Sequence, residues 1–229
     1  MGEGLQDLAL RRAGEGALQV ANEMRAAART RSWLRRLFAL TSIEEKSWRA
    51  GAEGERLVGA QLAHLVRLYP GWRVLHGIPV GSAGADIDHL VIGPGGVFSI
   101  TTRHHPQGRV QVKGDVVLVN GQRVSYVRNS RFEAAYASRL LSAAVGFPVQ
   151  ARALAVTVGA DLVVAGQPEG LTFCDRRRVV DLLRKAPTIL SPSQIMQLYA
   201  VARHPDTWSA DVRIPSPRPP VDQARSPLS

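Results

Sequence analysis

The sequence predicts a mixed α/β fold, an α+β arrangement in which a central mixed β-sheet is flanked by helices. Three observations predict it: a helical pattern comes first, a cluster of short strands follows, and helices and strands then alternate. Of the 229 residues, 45% are apolar and 21% are charged, a composition typical of a globular chain that buries a core of its own.

The chain divides into three regions of different composition. Residues 1–48 are rich in alanine and arginine and predict a helical extension over roughly 5–40, interrupted at Gly14–Gly16. Residues 49–203 carry the alternating helix and strand patterns and are expected to form the folded domain. Residues 204–229 are rich in proline and serine, so we expect a flexible tail that adds nothing to the core.

Spacing and turn residues predict the first elements of the folded domain. Apolar residues recur every three or four positions over residues 51–66, which predicts a helix. A short strand is expected at 72–75, after the breaker Pro70–Gly71. Strands over 85–92 and 97–102 flank a glycine-rich turn, so we expect them to pair as a hairpin.

The second half of the domain shows shorter elements. Strands at Arg109–Lys113 and Val116–Val119 precede Asn120–Gly121, a dipeptide typical of tight hairpins. The remaining predictions are a helix over 130–145, strands over 153–158 and 171–174, a helix over 176–185 and a last helix to about Arg203. A capping box at Ser191–Gln194, with proline at the first helical position, begins that last helix.

Cysteine content and hydropathy exclude several classes of protein. The single Cys174 rules out a disulfide framework and a zinc site of paired cysteines, and its place in a strand predicts a buried side chain. No apolar run is long enough for a transmembrane helix, and the N-terminus lacks the apolar stretch of a secretory signal. We therefore expect a cytoplasmic protein.

Positive charge is the unusual feature of the composition. Lys and Arg number 29 against 19 Asp and Glu, a formal net charge of +10, and nearly all of the basic residues are arginines. The planar fork of arginine suits phosphate, so polyanions are candidate partners, although a GC-rich genome gives the same bias. The basic helix expected over residues 5–40 could contact a membrane surface or a protein partner, or simply extend from the domain.

Three acidic residues fall where acids are costly. Glu55 lies on the apolar face of the first predicted helix, and Asp86 and Asp88 share one face of a strand. Carboxylates gathered in this way suit a hard cation such as Mg²⁺ or Mn²⁺. The alternative is structural, with Asp86 capping the preceding glycine-rich loop and Asp88 paired with an arginine.

Several short motifs, taken in their order and spacing, resemble one family. The motifs are Gly51-Ala52-Glu53-Gly54-Glu55, Trp72-Arg73-Val74-Leu75-His76, Asp86-Ile87-Asp88-His89, Gly93-Pro94-Gly95-Gly96-Val97-Phe98, Gly108-Arg109-Val110 and Asn120-Gly121. Together they resemble the nuclease-related domain, NERD, over residues 49–145 and more loosely to about residue 200. The resemblance implies a restriction-endonuclease-like fold related to the PD-(D/E)XK nucleases.

The resemblance also implies a site, and this sequence departs from it. It assigns catalytic and metal-binding roles to Glu55 and Asp88, whereas Thr101 and Arg103 stand where the family has an acid and a lysine. In Asn129–Glu133, a serine and a glutamate replace the proline and glutamine of the family. A neutral hydroxyl is a poor ligand for Mg²⁺, and arginine stays protonated, so it cannot accept a proton. We therefore expect a degenerate site.

A substitute ligand could restore such a site. Asp86 shares the strand face with Asp88, and three histidines, His89, His104 and His105, lie near the same hairpin. Imidazole favours transition metals over Mg²⁺, so a histidine would also change the metal.

Three functions remain open. The leading hypothesis is binding of DNA or RNA without cleavage, through a surface made of Arg103, Arg109, Arg123, Arg128 and Arg131. The first alternative is a metal-dependent nuclease that uses Glu55, Asp88 and a substitute ligand, with Mg²⁺ or Mn²⁺ as its cofactor. The second alternative is a non-catalytic protein-interaction module.

Overall fold

The structure is a computed structural model that describes residues 7–19, 22, 37–80 and 85–209, with the backbone alone at 37–48, 80 and 85. The described residues form a mixed α+β fold of two mixed sheets flanked by helices, which confirms the predicted class. None of the described helices combines the length and the hydropathy needed to cross a bilayer.

The elements are numbered here in chain order. The α-helices are α1 (Leu37–Leu68), α2 (Tyr126–Val145), α3 (Val179–Arg184) and α4 (Pro192–Ala202). The strands are β1 (Arg73–Val80), β2 (Ala85–Gly93), β3 (Gly96–His104), β4 (Arg109–Lys113), β5 (Val116–Val119), β6 (Gln122–Arg123), β7 (Ala151–Val158), β8 (Asp161–Gly166) and β9 (Leu171–Asp175).

The main sheet has the strand order β1-β2-β3-β7-β9. Strands β1, β2 and β3 pair antiparallel with one another, whereas β7 runs parallel to both β3 and β9. Helix α1 packs on one face through an apolar cluster that includes Leu62 and Val91. Helix α2 packs on the other face through a cluster that includes Tyr136 and Leu90, since successive strand residues point to opposite faces.

A second sheet, with the order β6-β5-β4-β8, extends the predicted architecture. Its inner face, which includes Val110, Val112 and Val117, packs on Val127 and Ala134 of α2. The sequence predicts β4 and β5, although in one central sheet, and it does not predict β8. Strand β8 is mostly exposed, so it carries none of the apolar alternation by which a strand is recognised.

The predicted turns are confirmed. Gly93 pairs with Gly96 across the β2–β3 hairpin. Asn120 and Gly121 join β5 to β6 with φ values of 49° and 83°, the two positive angles that a type I′ turn requires. The capping box of α4 is present in both directions between Ser191 and Gln194.

The side chain of Gln167 forms hydrogen bonds to the backbone of β9, an edge strand of the main sheet. Strand β9 is the last strand of that sheet, and Cys174 lies buried within it, as expected. The amide group of Gln167 accepts the Phe173 N–H at 2.8 Å and donates to the Phe173 carbonyl at 3.0 Å. One side chain thus takes the place of a neighbouring strand at the middle of β9.

The N-terminal region differs from its prediction. The described part has a 3₁₀ turn at Leu8–Leu10 in place of the predicted helix and a helical stretch over 15–19, and its break at Gly14 lies within the predicted interruption. Helix α1 begins at Leu37, well before the predicted start at residue 51. The prediction for residues 20–36, apart from residue 22, lies outside the described residues.

Both ends of the described chain reach the core, which corrects the expectation for residues 204–209. Leu8 is 0% exposed and Trp208 is 1% exposed, and both belong to the cluster beneath α2. The Trp208 indole donates to the Ala202 carbonyl at 2.8 Å. The ends also meet each other, because the Leu8 N–H donates to the Arg203 carbonyl at 3.0 Å. Residues 210–229 lie outside the described part.

This docking makes a prediction for the stability of the protein. Leu8→Ala removes a fully buried side chain, so it should lower the free energy of unfolding by about 2–4 kcal/mol, measured by urea denaturation. Leu10→Ala is the matched control, because Leu10 is 68% exposed two residues away and should change that free energy by less than about 0.5 kcal/mol. Equal, small effects would contradict the docking.

Candidate active site

The candidate site lies where β2 begins and β3 ends. The Thr102 N–H donates to Oδ2 of Asp88 at 2.6 Å and so joins the two strand ends. Thr101 and Arg103 turn toward α2, while Thr102 turns toward α1, as alternation along a strand requires. Side chains from both helices therefore meet at this end of the sheet.

Glu55 approaches the site from α1, on the face that the sequence predicts. Its side chain is half-buried, and the Gly14 N–H lies near the carboxylate and lowers its pKa, which favours the ionised form. Burial, reinforced by repulsion from Asp88, raises the pKa of Glu55 to about 8. Asp86 is more exposed and interacts electrostatically with Arg11.

Asp88 is the acid on β2. Burial raises the pKa of its carboxyl to about 6, although the Arg103 charge and the Thr102 N–H both favour the ionised form. The structure therefore places Glu55 and Asp88 close enough to repel each other, as their expected roles at one site require.

A third carboxylate, from Glu133 on α2, lies beside the residue that replaces the family's acid. The Thr101 hydroxyl donates to Oε2 of Glu133 at 2.7 Å, and Ser130 Oγ lies 3.2 Å from the same hydroxyl. Glu133 is 9% exposed, and burial raises its pKa to about 7. Its carboxylate also interacts with Asp88 and Arg103. An acid is therefore present beside position 101, although it comes from another element.

In the sequence, Glu133 stands out only as a departure from the family pattern. The available signal was the pairing of two changes, an acid lost at Thr101 and an acid gained at Glu133, which are 32 positions apart. Contacts at that separation do not follow from local periodicity.

Arg103, in the lysine position, is held by an aromatic ring. Its guanidinium carbon lies 4.3 Å from the centroid of the Tyr126 ring, and the Tyr126 hydroxyl is 2.8 Å from Nε2 of His105. Within the described residues, Nε of Arg103 is buried with no hydrogen-bond partner. A buried donor left without a partner is uncommon and marks a place where a ligand or water can bind.

The histidines expected as substitute ligands have other partners. Nδ1 of His104 lies 2.6 Å from the Ala50 carbonyl oxygen, and Nδ1 of His89 lies 2.8 Å from Nδ1 of His76. His105 is bonded to Tyr126. Among the residues that the structure describes, no three Asp, Glu, His or Cys side chains are close enough to form a ready-made metal cluster.

The arginines of the predicted nucleic-acid surface are not equivalent. Arg131 makes two 2.8 Å hydrogen bonds to Asp115, and Arg109 lies 3.7 Å from Asp161. Arg123 and Arg128 are exposed at the second sheet and on α2. Of the five, Arg103 is the arginine that the fold brings to the carboxylates.

Further arginines that the sequence analysis did not single out lie at the same end of the sheet. Arg103 pairs in register with Thr157, which in turn pairs with Asp175 at the end of β9. The turn Arg176–Arg178 follows directly. With strands spaced about 4.8 Å apart, this turn begins two strands, or about 10 Å, from the backbone of Arg103.

The burial of Glu133 predicts a pH-dependent effect on stability. Its pKa of about 7 in the folded protein exceeds the ordinary 4.5, so ionisation costs the folded state free energy as the pH rises between these values. Glu133→Gln should therefore raise the free energy of unfolding by about 2 kcal/mol at pH 8 and give no gain at pH 4, in urea titrations. Glu169→Gln, at an exposed position, is the control. A gain independent of pH would contradict this origin.

Comparison with known proteins agrees with the geometry. Residues 50–157 match the family model of NERD, the nuclease-related domain. This match confirms the resemblance seen in the sequence motifs, and it covers Glu55, Asp88, Thr101, Arg103 and Glu133. No curated protein and no solved structure matches the chain.

Proposed function

We propose that the nuclease-related domain carried by this chain is a divalent-cation-dependent phosphodiesterase acting on nucleic acid, in which Glu133 replaces the acid missing at Thr101. The observation that carries the proposal is the 2.7 Å hydrogen bond from the Thr101 hydroxyl to the Glu133 carboxylate. Because of this contact, helix α2 supplies a carboxylate beside the position where the family has one on β3.

The energetics of the site support retention of a function. Burial raises the pKa of Glu55, Asp88 and Glu133 to about 8, 6 and 7, so keeping these carboxylates ionised near neutral pH costs stability. Groups with such strongly shifted pKa values are concentrated at functional sites, where a bound cation or substrate offsets the cost.

The donor set fits Mg²⁺ or Mn²⁺ held by few protein ligands. Asp88 and Glu133 would hold the ion, with Glu55 nearby, because Mg²⁺ commonly takes one or two carboxylates and completes its shell with water and phosphate oxygens. A ready-made cluster of three acids is not required for that arrangement. When bound, the ion would polarise the phosphodiester and lower the pKa of the attacking water.

Arg103 would orient the phosphodiester. Its guanidinium stays protonated, lies over the Tyr126 ring and has an unpartnered Nε, so it can donate to a phosphate oxygen and stabilise charge that develops there. It cannot accept a proton, so that role would fall to a carboxylate or a neutral imidazole of the site. The turn Arg176–Arg178 adds cations at the same end of the sheet for the adjoining backbone.

Two substitutions test the proposal. Single- and double-stranded DNA and RNA would be incubated with the protein and Mg²⁺ or Mn²⁺, and cleavage followed on gels. Asp88→Asn and Glu133→Gln should each lower the cleavage rate by about 100-fold, since each removes a charge that stabilises the transition state. Glu169→Gln, an exposed acid outside the site, should cleave like the wild type. Cleavage untouched by both site substitutions would overturn the assignment.

Binding of nucleic acid without cleavage is the second candidate. It is favoured by one observation, the arginine that occupies the lysine position and is itself unable to accept a proton. The same assay distinguishes the two functions. A protein that only binds would retain DNA or RNA in the presence of Mg²⁺ or Mn²⁺ and leave it intact.

Both candidates predict contact between Arg103 and phosphate. Arg103→Gln should weaken nucleic-acid binding and reduce the slope of log K against log salt by about one, measured by fluorescence anisotropy from 50 to 200 mM salt. Arg67→Gln, at the exposed end of α1, should leave that slope unchanged. Binding that is absent or independent of salt would exclude this contact.

A further inference from the structure

A segment outside the family match borders the candidate site. The match begins at residue 50, whereas residues 7–19 precede it and pack on the same end of the fold. The segment is firmly anchored at its start: Leu8 is fully buried in the core, and Asp7 forms an ion pair with Arg203. The family pattern alone gives no reason to expect these contacts.

The backbone of this segment crosses α1 at the level of Glu55. Gly14 has a φ of +77°, and a Cβ there would lie 2.5 Å from the Ala52 carbonyl oxygen. A Cβ at Gly59 would lie 2.5 Å from the Cβ of Ala13. Ala52 and Gly59 flank Glu55 by about one helical turn on each side, so small residues allow the closest approach at that residue.

The same crossing brings polar groups to two of the acids. Gly14 contacts α1 at Ala52, one turn before Glu55, and its N–H lowers the pKa of the nearby Glu55 carboxyl. A Cβ at Gly16 would lie 3.4 Å from Oδ2 of Asp86, and Arg11 interacts electrostatically with that carboxylate. A backbone N–H fixed in this way restricts the direction of a carboxylate without cancelling its charge, as groups that orient metal ligands do.

We propose that Gly14 is a positioning residue whose N–H holds the Glu55 carboxylate beside Asp88, and that residues 7–19 form a fixed wall of the site. The wall is fixed because releasing it would expose Leu8 and break the Asp7–Arg203 pair. One part of this proposal rests on the proposed function, namely that the oriented carboxylates bind a divalent cation. The contact between Gly14 and Glu55 stands apart from that function.

The test compares two glycines of equal backbone strain. Gly14→Ala should displace the segment, because φ is positive and the added Cβ meets Ala52. Gly146→Ala is the matched control: its φ is also +77°, no atom lies within 4 Å of an added Cβ, and it ends α2 away from the site. Calorimetry should show Mn²⁺ binding about 10-fold weaker in Gly14→Ala and unchanged in Gly146→Ala.

A double-substitution cycle shows whether Gly14 acts through Glu55. In the Glu55→Gln background, Gly14→Ala should cause little additional loss of Mn²⁺ affinity, since the group that it positions is already altered. Losses that add fully would contradict the proposal. Tighter Mn²⁺ binding by Gly14→Ala would also overturn it, because the segment would then block the site.

Hydrogen exchange of the Gly14 amide tests its contact with Glu55 without any metal. The variants used here leave Gly14 itself unchanged. The Gly14 amide should exchange slowly in the wild type and become at least 10-fold faster in Glu55→Ala, while Asp86→Ala leaves its exchange slow. Exchange that is unaffected by Glu55→Ala would overturn the positioning role. If the wild type binds no Mn²⁺, the proposed phosphodiesterase fails, and the exchange result still decides the role of Gly14.

Discussion

The site depends on one constraint: β3 is buried on both faces over most of its length, so a polar group at its end costs free energy unless a neighbouring element supplies a partner. Thr101 meets this requirement through Glu133 on α2, and the Thr102 amide meets it through Asp88 on β2. Arg103 meets it only in part, by stacking on Tyr126. The chemistry of the site is therefore a consequence of how a central strand satisfies its polar residues.

Local signals in the sequence predicted the parts of the fold that local forces determine. The Asn120–Gly121 turn and the Ser191 capping box depend on a few adjacent residues, and both are present. The burial of Trp208 was not predicted because it depends on contacts with the core under α2, which is distant in sequence, while the adjacent residues in the sequence are polar or proline. Strand β8 was not predicted because it has no apolar face of its own and is held in place by pairing with β4.

The candidate site was predictable in its acids and not in their arrangement. Glu55 and Asp88 follow from the motif order, whereas Glu133 requires a contact between β3 and α2 that no periodicity reveals. The number of arginines in the sequence likewise does not show which of them can bind phosphate. Arg131 forms an ion pair with Asp115, so its charge is largely offset, while Arg103 makes no ion pair within 4 Å among the described residues and acts on Asp88 and Glu133 from a greater distance. The number of arginines therefore overstates the number of cations that can bind phosphate.

The Gln167 side chain has a consequence for how the molecule meets its own copies. A strand at the end of a sheet offers unpaired N–H and C=O groups, along which another polypeptide can add and begin an intermolecular ladder. At Phe173 both groups are already bonded by one amide side chain. A neighbouring molecule that approached β9 at this position would have to displace that amide first, so this edge of the main sheet is protected from adding a strand from another chain.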